Sequence, residues 1–232
     1  LMKHKESFTD PVPENMEDGL KKAGVQTLHG SARFTAADRI EIDGHGEIKF
    51  GHALIATGAK PRPLDFPGAE CLIDSTDFLN LSNLPKRIVF VGGGYISFEF
   101  AHIAARAGAE VTILDHGARQ FKLFDPDLVD MLLERSRAAG IEIISEATPE
   151  KIEAAGKAQR IFYGKDGNTH VKEADLMVHG AGRMPAVDEL NLSAAGIETE
   201  HGGVKVSPWL QSTSNPRVYA AGDAAASPGK PL

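Results

Sequence analysis

Apolar and polar positions along this chain follow two rhythms. "RIEID" (39–43) and "EIKF" (47–50) read as strand-like pieces. "VQTLH" (25–29), "ARF" (32–34), "ALIAT" (53–57), "IEIIS" (141–145), "VKVS" (204–207) and "RVYAAGD" (217–223) also read as strand-like pieces. "RIFYG" (160–164) and "HVKEA" (170–174) read as a hairpin about "KDGN", followed by a further strand in "LMVHGAG" (176–182). "IVFV" (88–91) is apolar without interruption, as expected of a parallel strand covered on both faces. The other rhythm is helical. "PENMEDGLKKAGV" (13–25) reads as a short helix ended by Gly24. Residues 95–107 carry an apolar stripe with small residues at Ala101, Ala104 and Ala105, and Gly108 ends them. "PDLVDMLLERSRAAG" (126–140) has Asp125 as its cap, Pro126 at its first position and Gly140 past its end. The pattern predicts an α/β protein.

One succession occurs twice. Arg39-Ile40 and Arg160-Ile161 each open a strand, a glycine-containing turn, a second strand, and then a buried strand that ends in Gly, a basic residue and Pro. The matching glycines are Gly58 and Gly182. This is read as an internal repeat of two similar nucleotide-domain halves. Only the second half is preceded by a glycine fingerprint. "GAKPRPLDFPG" (58–68), dense in proline, reads as a crossing linker.

The fingerprint is "VGGGYISFEFAHIAARAGAEVTILD" (91–115): strand, Gly92-Gly93-Gly94, helix, strand and an acid. Gly92 permits a tight turn, and Gly94 lets the backbone approach a pyrophosphate. Ser97 stands where a third glycine would bring helix and strand together. The amides of the first helical turn, including Tyr95 and Ile96, face the phosphates with the positive end of the helix dipole behind them. Asp115, 18 residues after Ser97 at the tip of the second strand, is placed to accept bonds from an adenosine ribose. A carboxylate there repels a 2′-phosphate, so NAD(H) is expected over NADP(H), although His116 and Arg119 lie nearby.

Composition narrows the partners. A net charge of −7 and scattered Lys and Arg argue against nucleic acid. No run is long and apolar enough to cross a bilayer. The start, "LMKHKESFTDPVPE", has no apolar signal-peptide core, and a cytoplasmic compartment is expected. Cys71 is the one cysteine, so no intrachain disulfide can form, and it is read as a structural thiol. No histidine or cysteine spacing suggests a metal site, and no Gly-x-Ser-x-Gly elbow suggests a hydrolase.

"GGGYISFEFA", "ATGAKPR", "GAGRMP" and "RVYAAGDAA", in this order, together resemble the FAD-dependent pyridine nucleotide–disulfide oxidoreductases, the group of glutathione reductase, dihydrolipoamide dehydrogenase and mercuric reductase. The resemblance implies a Rossmann-like NAD(P)-binding domain over 63–186, inserted in a partial FAD-binding domain of similar architecture made of 1–62 and 187–232. It implies that Thr57 and Gly58 lie near the flavin nucleotide, that Asp223 bonds the ribityl chain of FAD, and that Gly182 lies beside the nicotinamide. Tyr95 matches the tyrosine that covers the flavin until nicotinamide displaces it, and Glu99 matches the glutamate near the nicotinamide. The family's cysteine pair, its FAD fingerprint and its C-terminal dimerisation domain have no counterpart here. The expectation is therefore a central fragment of a longer, homodimeric enzyme that passes hydride from NAD(P)H to FAD and on to a disulfide or similar acceptor. Two alternatives stay open: a nucleotide-binding fragment without turnover, and a flavoprotein reducing ferredoxin or oxygen.

Overall fold

A computed structural model describes residues 2–226; the closing segment 227–232, "SPGKPL", lies outside the described residues. The elements in chain order are α1 (Met2–Thr9), α2 (Val12–Lys22), β1 (Ala32–Ala36), β2 (Arg39–Ile42), β3 (Gly46–Lys49), β4 (Ala53–Ile55), β5 (Ala59–Pro61), α3 (Ser75–Leu79), β6 (Arg87–Val91), α4 (Tyr95–Arg106), β7 (Glu110–Leu114), α5 (Pro126–Ala138), β8 (Glu142–Ile144), β9 (Thr148–Ala155), β10 (Ala158–Lys165), β11 (Asn168–Ala174), β12 (Leu176–His179), β13 (Arg183–Pro185), β14 (Thr199–Glu200), β15 (Gly203–Lys205), β16 (Val218–Ala220) and β17 (Ala225–Ala226), with short 3₁₀ turns between some of them. They form two units. One is Lys60–Met184, and the other is made of the residues before and after it.

In the Lys60–Met184 unit, β12, β6, β7 and β8 make a parallel sheet in that order, with α4 connecting β6 to β7 and α5 connecting β7 to β8. The unbroken apolar run of β6 has a direct cause. Ile88 and Phe90 point into a core with Phe98, Ala101, Ile113 and Val129. Val89 and Val91 point the other way, into a core with Ile152, Ile161, Tyr163 and Met177 from the meander β9-β10-β11 and β12. A strand buried on both sides has no polar face to show. Each such side chain contributes roughly 1.5–3 kcal/mol by leaving water. The hairpin β10–β11 turns on Asp166 and Gly167, both at positive φ, as a two-residue turn of this twist requires. α5 begins where Asp125 accepts from the amides of Asp127 and Leu128.

At the outer end of β6, Arg87 Nη2 donates to Asp175 Oδ1 at 2.6 Å and Nη1 to Glu173 Oε1 at 3.0 Å, while Arg160 Nε donates to Glu173 Oε2 at 3.1 Å. The Arg87 hydrogen bonds hold the Asp175 carboxyl below its ordinary value; Arg160, then Arg87, do the same for Glu173. Carboxyls depressed in the folded state stabilise it above their unfolded pKa of about 4, and that contribution is lost as pH falls through the folded values. The melting temperature of Asp175→Asn is therefore expected below wild type at neutral pH, with the gap closing as pH falls below about 4 and through the lowered folded value. A gap that stays constant across a thermal-melt pH series would contradict this.

In the other unit, β1-β2-β3 form an antiparallel meander, β4 pairs with β16 in parallel, and β15 lies between β14 and β17. Phe34, Ile55, Val204, Val218 and Ala220 make its core. The buried Asn215 amide donates to the carbonyls of Ala37 and Ala195 and ties loop to core. The twofold succession read from the sequence is present in each unit: a three-stranded meander, a parallel strand, then a glycine at positive φ, Gly58 in one and Gly182 in the other.

Three readings are corrected. Residues 25–29, expected as a strand, have no regular structure, with Val25 exposed and Thr27 bonded to Glu17 rather than to a ladder. Residues 148–155, left without an element, form β9, because β10 supplies a full-length partner. Cys71, read as a structural thiol, is exposed.

Candidate functional site: a glycine-walled cleft

The carboxyl ends of β6 and β7 and the start of α4 border a cleft of about 490 Å³, lined by the glycine triplet, Asp115, Gln120, Gly180 and the basic side chains Arg62, Arg119, Lys122 and Arg183. A different physical demand fixes each glycine. Gly92 has φ +110°, and a Cβ there would lie 2.4 Å from the backbone of Gly180. At Gly93 a Cβ would meet Asp115 Oδ2 at 2.4 Å. Gly94 is different. Its φ of −91° suits any residue, and the nearest atom to a Cβ, Gly180 O, is at an ordinary 3.4 Å. Packing does not require glycine at 94, whereas a ligand resting on the backbone would.

Gly94 is also the N-cap of α4, and it supplies no side-chain acceptor. α3 and α5 have Asp74 and Asp125 in that place. The first-turn amides of a helix have no carbonyl above them. In α3 and α5 a carboxylate satisfies some of them, and in α4 they face the cleft. No acidic residue sits in the first turn of α4 to compete for them.

Ser97 is fully buried, and its Oγ has no hydrogen-bond partner. It fills the contact between α4 and the end of β12: a Cβ on Gly180 would sit 1.8 Å from it. Ser97 therefore sets how close the helix lies and does not line the cleft. Gly180, which the sequence reading did not single out, is the other half of that contact.

Asp115 is 6% exposed, and its backbone is pinned: its N–H donates to Ile144 O and its carbonyl accepts from Ala147. Oδ2 accepts from Gln120 Nε2 at 3.0 Å, and Oδ1 faces His116 Nδ1 at 3.6 Å. Gln120 and Ser145 were also missed in sequence, since a glutamine five residues past a fingerprint acid carries no local signal.

Of the other predicted residues, Ile96 and Gly182 line the cleft. The exposed Tyr95 borders this cleft and also an apolar groove of about 790 Å³ between α4 and α5. Glu99 lines that groove and not the glycine cleft. In the groove His102 Nε2 donates to Ser136 Oγ at 2.9 Å, because that hydroxyl's own proton goes to Leu132 O. Burial and Arg106 push the His102 pKa down. Thr57, Gly58 and Asp223 belong to the other unit, where Thr57 borders an apolar cavity of about 120 Å³ and the half-buried Asp223 sits in a 3₁₀ turn.

Comparison with known proteins decides the family. Residues 3–231 match the family model described as pyridine nucleotide-disulphide oxidoreductase. The chain belongs to that family. It is 34% identical over 213 residues to mercuric reductase of Lysinibacillus sphaericus, covering 91% of this chain and 39% of that one. It is 31% identical to dihydrolipoyl dehydrogenase of Geobacillus stearothermophilus, covering 94% of this chain and 47% of that one. The HOCl-induced flavoprotein disulfide reductase RclA from Escherichia coli superposes with a TM-score of 0.86 at 28% identity, over 96% of this chain and 51% of that one. The chain thus spans about half the length, or less, of these oxidoreductases. The parallel sheet with its glycine turn is the Rossmann-like nucleotide-binding architecture of that family. No helix among the described residues is long and apolar enough to cross a membrane.

Proposed function

We propose that this chain is the pyridine-nucleotide-binding part of a flavin-dependent oxidoreductase and that its cleft takes NADH. The observation that carries this reading is Gly94: a glycine that neither conformation nor packing requires, at the uncapped start of α4, above a cleft that the Asp115 carboxylate also lines. The diphosphate lies on the Gly93–Ile96 amides, the helix dipole and the basic side chains at the rim balance its charge, and Asp115 accepts from the adenosine ribose. Gly182, on the β12 side, lies beside the nicotinamide. Tyr95 stands at the mouth, where a swing of its ring opens or covers the nicotinamide position, and Glu99 follows one turn later on α4.

The cavity beside Thr57 is about 120 Å³ and apolar, against several hundred Å³ for a cofactor pocket. In the whole protein, FAD, with Thr57, Gly58 and Asp223 beside it, would take hydride from NAD(P)H and pass electrons to a disulfide or similar acceptor. This chain contributes nucleotide binding and orientation. Its one cysteine, the exposed Cys71, cannot form the disulfide of such a reaction alone, which favours a binding role without turnover for the chain by itself. The parent is proposed to act as a cytoplasmic homodimer. Calorimetric titration of the chain with NADH tests the reading. Saturable binding with a Kd below about 1 mM, worth ~4 kcal/mol, is expected; absence of heat at that concentration overturns it.

A further inference from the structure

Resting on the reading that the cleft takes NADH, we infer that Gln120 is a positioning residue for coenzyme choice: its amide holds the Asp115 carboxylate in the orientation that presents Oδ1 to the ribose. Gln120 is 2% exposed, an unusual depth for a neutral amide unless its bonds are made. Its Nε2 donates both hydrogens, one to Asp115 Oδ2 and one to Ser145 Oγ, each at 3.0 Å. An ionised carboxylate only accepts, so the amide has one admissible orientation, with nitrogen toward Asp115. Oδ2 is boxed in by more than this bond. A Cβ on Gly93 would lie 2.4 Å from it and one on Gly117 3.2 Å. One carboxylate oxygen is therefore used inward, and the other is turned to the His116 side of the cleft.

The backbone around Asp115 does not depend on Gln120. Asp115 N–H to Ile144 O, Ala147 N–H to Asp115 O and Glu146 N–H to Gly117 O hold the strand tip to the segment after β8. Lys165 Nζ, from the hairpin, donates to Ser145 O and secures that segment in turn. The amide acts on the side chain alone. It offsets the cost of burying the charge and selects its rotamer. Without it, the carboxylate is free to turn toward the basic side chains of the cleft.

The test is a pair of titrations, NADH and NADPH, on wild type, Gln120→Leu, Asp115→Ser and the double variant, with thermal melts alongside. Gln120→Leu is expected to weaken NADH about tenfold and NADPH less than about threefold, and to add less than about twofold in the Asp115→Ser background. The coenzyme ratio and the coupling to Asp115 are readouts that general loosening of the fold would not move. Should the leucine variant fail to fold, Gln120→Met, unbranched and without a donor, replaces it with the same expectation. Equal loss for both coenzymes, no loss for either, or the same tenfold loss without Asp115 overturns the inference and leaves the NADH reading standing. A wild-type chain that binds no NADH overturns that reading and this one with it.

Discussion

Gly92→Ala is expected to destabilise the chain by at least about 3 kcal/mol and to abolish NADH binding, whereas Gly94→Ala is expected to fold like wild type and lose only the ligand. Both substitutions add one methyl to the same three-residue turn. At Gly92, φ of +110° is a conformation that L side chains rarely adopt. The added carbon would also lie within 2.4–2.5 Å of Gly180 C and O and of Ala181 Cα. Those are backbone atoms, and Gly180 is held by its N–H bond to Val91 O at 2.7 Å. No side chain can rotate to make room, so β6 and β12 must part or the turn must rebuild, and either costs strain and core packing together. At Gly94 the methyl would meet only Gly180 O, at an ordinary 3.4 Å, and would otherwise enter free space. That space is where a diphosphate would touch the backbone, so the cost appears only when coenzyme is added. Urea unfolding of both variants, paired with NADH titration, separates the two. A Gly94→Ala chain that binds NADH as wild type does would remove the main support for the cleft as a coenzyme site.

The contrast between these two glycines also shows what could be read from the chain alone. The fingerprint was legible because its parts are local: an uninterrupted "IVFV", three glycines, a helix stripe and an acid, all within 28 residues of chain. The double burial of β6 was implied by its having no polar position, and the caps at Asp125 and Gly140 by residue type at fixed offsets. Pairings across the fold were not legible. Gly180 matters because it lies against Ser97, more than eighty residues earlier, and neither residue announces the other. Gln120 and Ser145 matter because the segment after β8 returns beneath the tip of β7. Residues 148–155 contain "EKIEAA", whose helix propensity is high, yet they pair along β10, and tertiary partnership overrides a preference worth only tenths of a kcal/mol per residue. Residues 25–29 have the β-branched and apolar content of a strand but make no ladder among the described residues, and content without a partner does not make a sheet.

Replacing Asp115 by Ser is expected to weaken NADH about a hundredfold and to shift preference toward NADPH. A buried carboxylate bonded to two ribose hydroxyls makes two charge-assisted hydrogen bonds of roughly 1.5–3 kcal/mol each. Part of that is recovered by serine and water, leaving a loss near 3 kcal/mol, or about two decades in Kd. The electrostatics work in the opposite sense for NADPH. With Asp115 present, its 2′-phosphate meets a negative charge that is only 6% exposed and so little screened by salt. With Asp115 gone, the same end of the cleft has His116, Arg119 and Lys122 and no acid among its lining residues. The charge at the ribose end thus changes from mixed to basic through a single substitution. The backbone of residue 115 keeps its bonds to Ile144 and Ala147, so the change is confined to the side chain. Kd values for the two coenzymes at two salt concentrations check this: the NADPH gain, which removes a buried and poorly screened charge, should largely persist at high ionic strength, and so should the NADH loss. An unchanged NADH-to-NADPH ratio would mean that the carboxylate does not face the ribose, and the orientation of the dinucleotide in this cleft would have to be reversed.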